Sequence, residues 1–253
     1  MNNVYAKIIR ETKFDDYSSF NPAKVKFESK IRDVFSKNEE FEGARLIGSA
    51  ATGTMRKNSG DLDYFVVFNT TVNNPKFKEI VLSSDLEIDH ISEETIRYGY
   101  IRISGKFDGF KFVLVPVKNP ANTITDYAQD AFYHADFINK RKKSDHTDNV
   151  LLLKAFFDKL GLYKTIQGIS CELMALKYNT FDEVLCQLAT KDKIRVNFSS
   201  KNENYSDNSI VIDYPFLGGR SLVKPLTLED YLKIQKFAKD VLEDPNNLLR
   251  EPN

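Results

Sequence analysis

The feature that most narrows what this chain can become is a run of small residues, Gly48-Ser49-Ala50-Ala51-Thr52-Gly53-Thr54. It leads into Asp61-Leu62-Asp63 at the head of an apolar stretch, Tyr64-Phe65-Val66-Val67-Phe68. The apolar stretch reads as a strand, and side chains at i and i+2 of a strand leave the same side of a sheet. Asp61 and Asp63 can therefore present their oxygens to one point in space. Small residues and glycines upstream let backbone N–H groups and the Ser49 hydroxyl approach a phosphate closely. Magnesium in phosphate chemistry takes one or two carboxylates and fills its remaining positions with phosphate oxygens and water. A glycine-serine turn followed by two strand carboxylates is the outline of a nucleoside triphosphate site.

Composition bounds the rest. A chain of 253 residues with 42% hydrophobic content can bury a substantial core in one large domain or two small ones. Lys+Arg and Asp+Glu both number 36, so no overall basic field advertises nucleic acid, and any such contact must come from a local patch. The two cysteines, Cys171 and Cys186, fall in helical patterns and imply reduced thiols rather than a disulfide framework. His90, His134 and His146 are too scattered for a zinc pattern. No segment reads as a leader or a membrane span, so the expectation is a cytoplasmic protein without a membrane partner.

Along the chain, Asn21-Pro22 reads as a helix start, with Phe27, Ile31, Val34 and Phe35 on one face. Residues 44–47 and 63–68 read as strands, and residues 98–104 and 110–117 as a pair joined at Asp108-Gly109, a strong hairpin signal. Beyond residue 120 apolar residues recur at helical spacing: Leu152, Leu153, Phe156, Phe157 and Leu160, stopped by Gly161. Thr180 with Glu183, and Thr227 with Asp230, resemble helix-opening caps. A hairpin is expected between Ile194 and Ile212. The expected class is α/β: residues 1–119 a mixed sheet with helices that carries the acidic site, and residues 120–253 a mainly helical nucleotide-binding domain with a small hairpin.

These residues resemble the nucleotidyltransferase superfamily typified by DNA polymerase beta, whose signature is Gly-Ser, a spacer and Asp-x-Asp on a strand. Within it they look most like the catalytic core of archaeal, class I CCA-adding enzymes. The likeness extends over His134 after Asp126, Leu152-Leu153-Lys154, Gly161-Leu162-Tyr163, Gly168-Ile169-Ser170-Cys171-Glu172-Leu173, and Asp213 with Arg220. What it implies is metal-dependent nucleotidyl transfer, with Asp61 and Asp63 holding magnesium or manganese. Gly48, Ser49 and Thr54 would meet the triphosphate, joined by His134, Lys154 and Tyr163 from the helical side, with Arg220 near the nucleobase. Each of these also has a plain structural use: a core histidine, a solvated helix-face lysine, a core aromatic.

Two departures shape the functional expectation. Where the family carries a third metal-binding aspartate in Val-Asp-Val-Val-Pro, this chain has Phe112-Val113-Leu114-Val115-Pro116, so Val113 replaces the carboxylate. Thr52 stands where the family places an arginine, and the residues after Leu242 are too few for the family's tRNA-gripping domains. The leading expectation is a template-independent enzyme joining NTP- or dNTP-derived nucleotides to a nucleic-acid or protein hydroxyl. By resemblance to the synthesising component of Hailong-type anti-phage systems, it would make short oligonucleotides and work with an effector protein partner. Alternatives are a tRNA 3′-end nucleotidyltransferase, in repair or as a toxin, and a catalytically silent nucleotide-binding subunit.

Overall fold

The computed structural model describes residues 2–57, 59–71, 73–94, 100–120, 124, 127–198, 209–217 and 221–250. Helices α1 (Asn3–Thr12) and α2 (Tyr17–Phe35) precede strand β1 (Phe41–Leu46), the short helix α3 (Gly48–Thr52) and strand β2 (Leu62–Phe68). Helix α4 (Asn74–Leu82) leads into β3 (Glu87–Glu94), β4 (Tyr100–Phe107) and β5 (Phe110–Lys118). Six helices follow: α5 (Tyr127–Phe132), α6 (His134–Arg141), α7 (His146–Lys159), α8 (Tyr163–Ile166), α9 (Gly168–Tyr178) and α10 (Phe181–Thr190). Strands β6 (Ile194–Val196) and β7 (Ile210–Ile212), helix α11 (Leu228–Glu243) and a 3-10 turn (Pro245–Leu248) complete the order. Two compact units result, Phe14–Ala135 and the combination of Met1–Lys13 with Asp136–Asn253.

The first unit is built on a five-stranded mixed sheet of order β1-β2-β5-β4-β3. β2 and β5 run parallel, and the other pairs are antiparallel. Alternation along the strands decides what each face carries. Leu62, Tyr64 and Val66 of β2, Phe112 and Leu114 of β5, and Ile101 and Ile103 of β4 form one core with Phe27, Ile31 and Phe35 of α2 and Phe77 and Val81 of α4. Burying each such side chain contributes about 1.5–3 kcal/mol. The opposite parity carries Asp63, Phe65 and Val67; Phe65 and Val67 pack with Val117 and Phe132 in a second cluster, while Asp63 lies toward the head of the strand. Asp108 and Gly109 both take positive φ, 47° and 82°, and join β4 to β5 with Phe107 paired to Phe110, as their turn chemistry leads one to expect.

Helix α2 begins earlier than the Asn21-Pro22 signal suggests. Asp16 caps it by accepting from the Ser19 N–H, and Pro22 lies inside, where its missing N–H costs one early rung.

The second unit is mainly helical. Nine residues of α7, including Leu152, Leu153, Phe156 and Phe157, are buried, and Gly161 (φ 69°) turns the chain beyond it. Thr180 caps α10, and Thr227 with Asp230 forms a full capping box on α11. α1 packs on α7 here, with the Tyr5 hydroxyl donating to Asp182 at 2.8 Å. The hairpin expected between Ile194 and Ile212 is not formed. β6 and β7 pair in parallel, Ile194 with Ile210 and Val196 with Ile212. Parallel pairing needs a connection of about a dozen residues, and the sequence between Val196 and Ile210 is long enough for one.

Candidate active site

The small-residue run folds as a tight turn, and β2 fixes it in place. Ile47 is extended, and its N–H donates to the Asp63 carbonyl at 2.8 Å, tying the turn to the head of β2. Gly48 then takes φ 67°, α3 makes a single turn, and Gly53 closes it at φ 77°. A side chain on Gly48 would be strained by that φ and would also place its Cβ 2.9 Å from Asp63 Oδ2. Glycine here allows the backbone to lie against a carboxylate.

Ser49 is half-buried beside Gly48. Thr54 is fully buried; its N–H donates to the Ser49 carbonyl at 2.9 Å, and its hydroxyl lies 3.0 Å from that of Thr52. Thr54 therefore shapes the turn from inside. Thr52, in the family's arginine position, is buried in the same way.

Asp61 and Asp63 are both half-buried. Burial first and the neighbouring Asp61 charge second push the Asp63 carboxyl up, against the pull of Arg102, to about 6. Asp61 is also raised by burial, with Lys111 and Arg102 pulling the other way. Two carboxylates that resist ionising side by side are the donor set a hard divalent cation relieves. The site fits such an ion on two carboxylates, and among the described residues no cluster of three or more potential ligands occurs. Val113 explains why: it pairs with Asp63 in the parallel β2–β5 register, so it occupies the same face one strand away.

Arg102 and Lys111 were missed by sequence reasoning. The hairpin register pairs Ser104 with Val113 and Lys106 with Lys111, so strand parity from Asp108-Gly109 carries the signal that would have found them.

His134 belongs to the same unit as the carboxylates. Its Nε2 lies 3.0 Å from Oδ1 of Asp130, which is fully buried. The i,i+4 spacing on consecutive short helices is the sequence trace of that pair. Lys154 and Tyr163 belong to the helical unit and converge there. A Cβ on Gly168 would meet the Tyr163 hydroxyl at 3.1 Å and the Lys154 Nζ at 3.5 Å. Lys154 is 2% exposed, so it is no solvated helix-face lysine. Gln167, just before Gly168, holds φ 65° and ψ 154°, a region that is almost exclusively glycine's. Strain of that kind clusters at functional sites, and a lone glutamine gives no sequence warning of it. Asp213 is buried, with Arg195 donating from Nε at 3.2 Å and from a terminal nitrogen at 3.1 Å. Arg220 and Asp126 lie outside the described residues.

Known proteins resemble this chain in sequence and in fold. Residues 28–140 match the nucleotidyltransferase domain family. The CCA-adding enzyme of Thermoplasma volcanium is 27% identical over 211 residues, covering 79% of this chain and 47% of that protein. That of Methanocaldococcus jannaschii is 27% identical over 224 residues, covering 79% and 50%. The chain spans about half the length of these curated relatives. Among solved structures, the Cid1 poly(U) polymerase with magnesium and 3′-dATP superposes with a TM-score of 0.75 at 13% identity, covering 98% of this chain and 97% of that one. CdnC of E. coli MS115-1 with ATP gives 0.67 at 13% identity, covering 99% and 92%.

Residues 28–140 therefore match a nucleotidyltransferase domain, the chain has a polymerase beta-like fold, and archaeal CCA-adding enzymes are its homologues. Enzymes of this fold depend on divalent metal. Among the described residues, no helix is long and apolar enough to cross a membrane.

Proposed function

We propose that this protein transfers nucleotidyl groups from NTPs or dNTPs to an acceptor hydroxyl without a template, in the cytoplasm. The acceptor oxygen forms a bond to the α-phosphorus, the bond to the β-phosphate breaks, and pyrophosphate leaves. The observation that carries this reading is the Asp63 carboxylate lying against the Gly48 backbone, with Asp61 two residues before it. Asp61 and Asp63 hold the cation, magnesium or manganese. Bound there, the ion would neutralise phosphate charge and orient the triphosphate. Gly48 and Ser49 bring backbone N–H groups and a hydroxyl to the phosphates. His134, steadied by Asp130, together with Lys154 and Tyr163, supplies further phosphate contacts, and Arg220 reads the base. The first unit thus acts as the catalytic domain and the second as a nucleotide-binding domain.

The product in this reading is a short oligonucleotide or a protein-linked strand. We assign it a place in anti-phage defence or signalling, with an effector protein as partner. The experiment is incubation of the protein with each labelled NTP and dNTP in magnesium or manganese, followed by separation of free polymer, self-labelled protein and labelled tRNA. Labelling that disappears in Asp61→Ala and Asp63→Ala supports the assignment; labelling that survives in both removes it. Labelling confined to the tRNA pool would instead make it a tRNA 3′-end enzyme. Val113 beside Asp63 favours one further reading, a silent nucleotide-binding subunit, for which calorimetry would give triphosphate binding without turnover under either metal.

A further inference from the structure

The helical unit holds a cavity of about 90 Å³ that none of the proposed nucleotidyl-transfer residues lines. Arg141, Lys143, Asp145 and His146, between the end of α6 and the start of α7, surround it with Asn179 and Phe198. His146 is 3% exposed, and its Nε2 is buried with no hydrogen-bond partner among the described residues. Leaving such an atom unpaired is costly, so the chemistry of the cavity asks for a polar guest. Arg141 is already oriented: its guanidinium lies 3.9 Å from the centre of the Phe137 ring, and Phe137 packs edge-on against Phe198 at 5.2 Å. Its Nη1 donates to the Phe137 carbonyl at 3.5 Å, and the guanidinium keeps further N–H donors to offer an oxyanion. Lys143 donates to Asn179 Oδ1 at 2.7 Å, which fixes its ammonium at the rim with further N–H donors to offer.

We propose that this cavity seats a phosphate group, with His146 Nε2 at its floor and Arg141 and Lys143 at its mouth. Size supports that class of ligand. One water needs roughly 10–15 Å³ of such space, so about 90 Å³ leaves room for a compact tetrahedral anion. Two exposed cations at the rim outnumber the single carboxylate, that of Asp145. Burial holds the His146 imidazole below its ordinary range; Glu172 and Asp145 favour its charged form, and Lys142 opposes it. A bound anion adds to the side of Glu172 and Asp145 and shifts the ring toward protonation. The site is independent of the transfer reaction and stands or falls without it.

The test is imidazole NMR on the intact protein, whose three histidines make assignment simple. Inorganic phosphate should move the His146 signals along a saturating curve and raise that residue's titration midpoint, and sodium chloride at matched ionic strength should not. Arg141→Gln and Lys143→Met, both at exposed positions, should each weaken the phosphate response about tenfold, as expected for loss of a charged hydrogen bond. A nucleoside 5′-monophosphate and a short oligonucleotide with a 5′-phosphate or a 5′-hydroxyl then distinguish the source of the group. Saturation by the phosphorylated strand and not the hydroxyl one assigns it to a nucleic-acid end; saturation by inorganic phosphate alone assigns it to the free ion. A His146 response that is linear, equal with chloride, or unchanged in both variants would overturn the proposal.

Discussion

Asp63 concentrates the electrostatic tension of the site. Its carboxyl is raised from 3.8 to about 6, so the neutral form is favoured in the folded protein. Such a group contributes stability in full below its unfolded value, and that contribution is lost as pH rises through about 6. The metal-free protein should accordingly gain stability from this residue between pH 7 and pH 5. In Asp63→Asn, that pH dependence should flatten and the metal-free fold should be tighter by roughly 1 kcal/mol, allowing for solvent screening. Nucleotidyl transfer should vanish in the same variant. Thermal unfolding at several pH values, beside a transfer assay, reads both. Cation affinity should weaken as pH falls through about 6, because a protonated carboxyl no longer binds; titration of magnesium at pH 7.5 and pH 5.5 measures it. Gly48→Ala meets both a positive φ and the Asp63 oxygen 2.9 Å from the new carbon. It should cost about 1–3 kcal/mol in denaturant unfolding and reduce transfer by displacing that oxygen.

Among the elements, the β2–β5 pair decides how many cations the site can hold. Parallel register puts Val113 beside Asp63, so Val113→Asp should restore a third carboxylate on the same face. Without metal that variant should be less stable than the parent, since three like charges crowd one strand end. With magnesium it should recover, and the magnesium dependence of transfer should shift to lower concentration; melting curves with and without the ion check both. The sheet carrying this pair was legible because period-two alternation and the Asp108-Gly109 turn are local signals. β3 was not, since Glu87, Asp89, Glu93 and Glu94 give an edge strand the composition of a loop. The parallel β6–β7 pair was equally hidden, because two short apolar runs do not say in which direction they meet. Of the site, Gly48, Ser49, Asp61 and Asp63 were readable from spacing. Asp130, Gln167 and the burial of Thr54 depend on packing that no local pattern encodes.

At the level of the whole molecule, the assignment of α1 was the least legible feature. Its helical spacing of Tyr5, Ile8 and Ile9 is plain, but the contact of Tyr5 with Asp182 joins residues far apart in sequence. Ile8→Ala should cost about 2–4 kcal/mol in the helical unit. Hydrogen exchange should show α7 and α10 losing protection while β2 and β5 keep theirs. α1 finds its first seat on α7 and packs also on the 3-10 turn near the end of α11, so the helix that ends at Thr12 waits for the chain from His146 onward before its apolar face is covered. At synthesis rates of about 5–20 residues per second, that delay is on the order of ten seconds or more. Throughout it, Tyr5, Ile8 and Ile9 travel uncovered on the nascent chain, an apolar stripe open to chaperone capture.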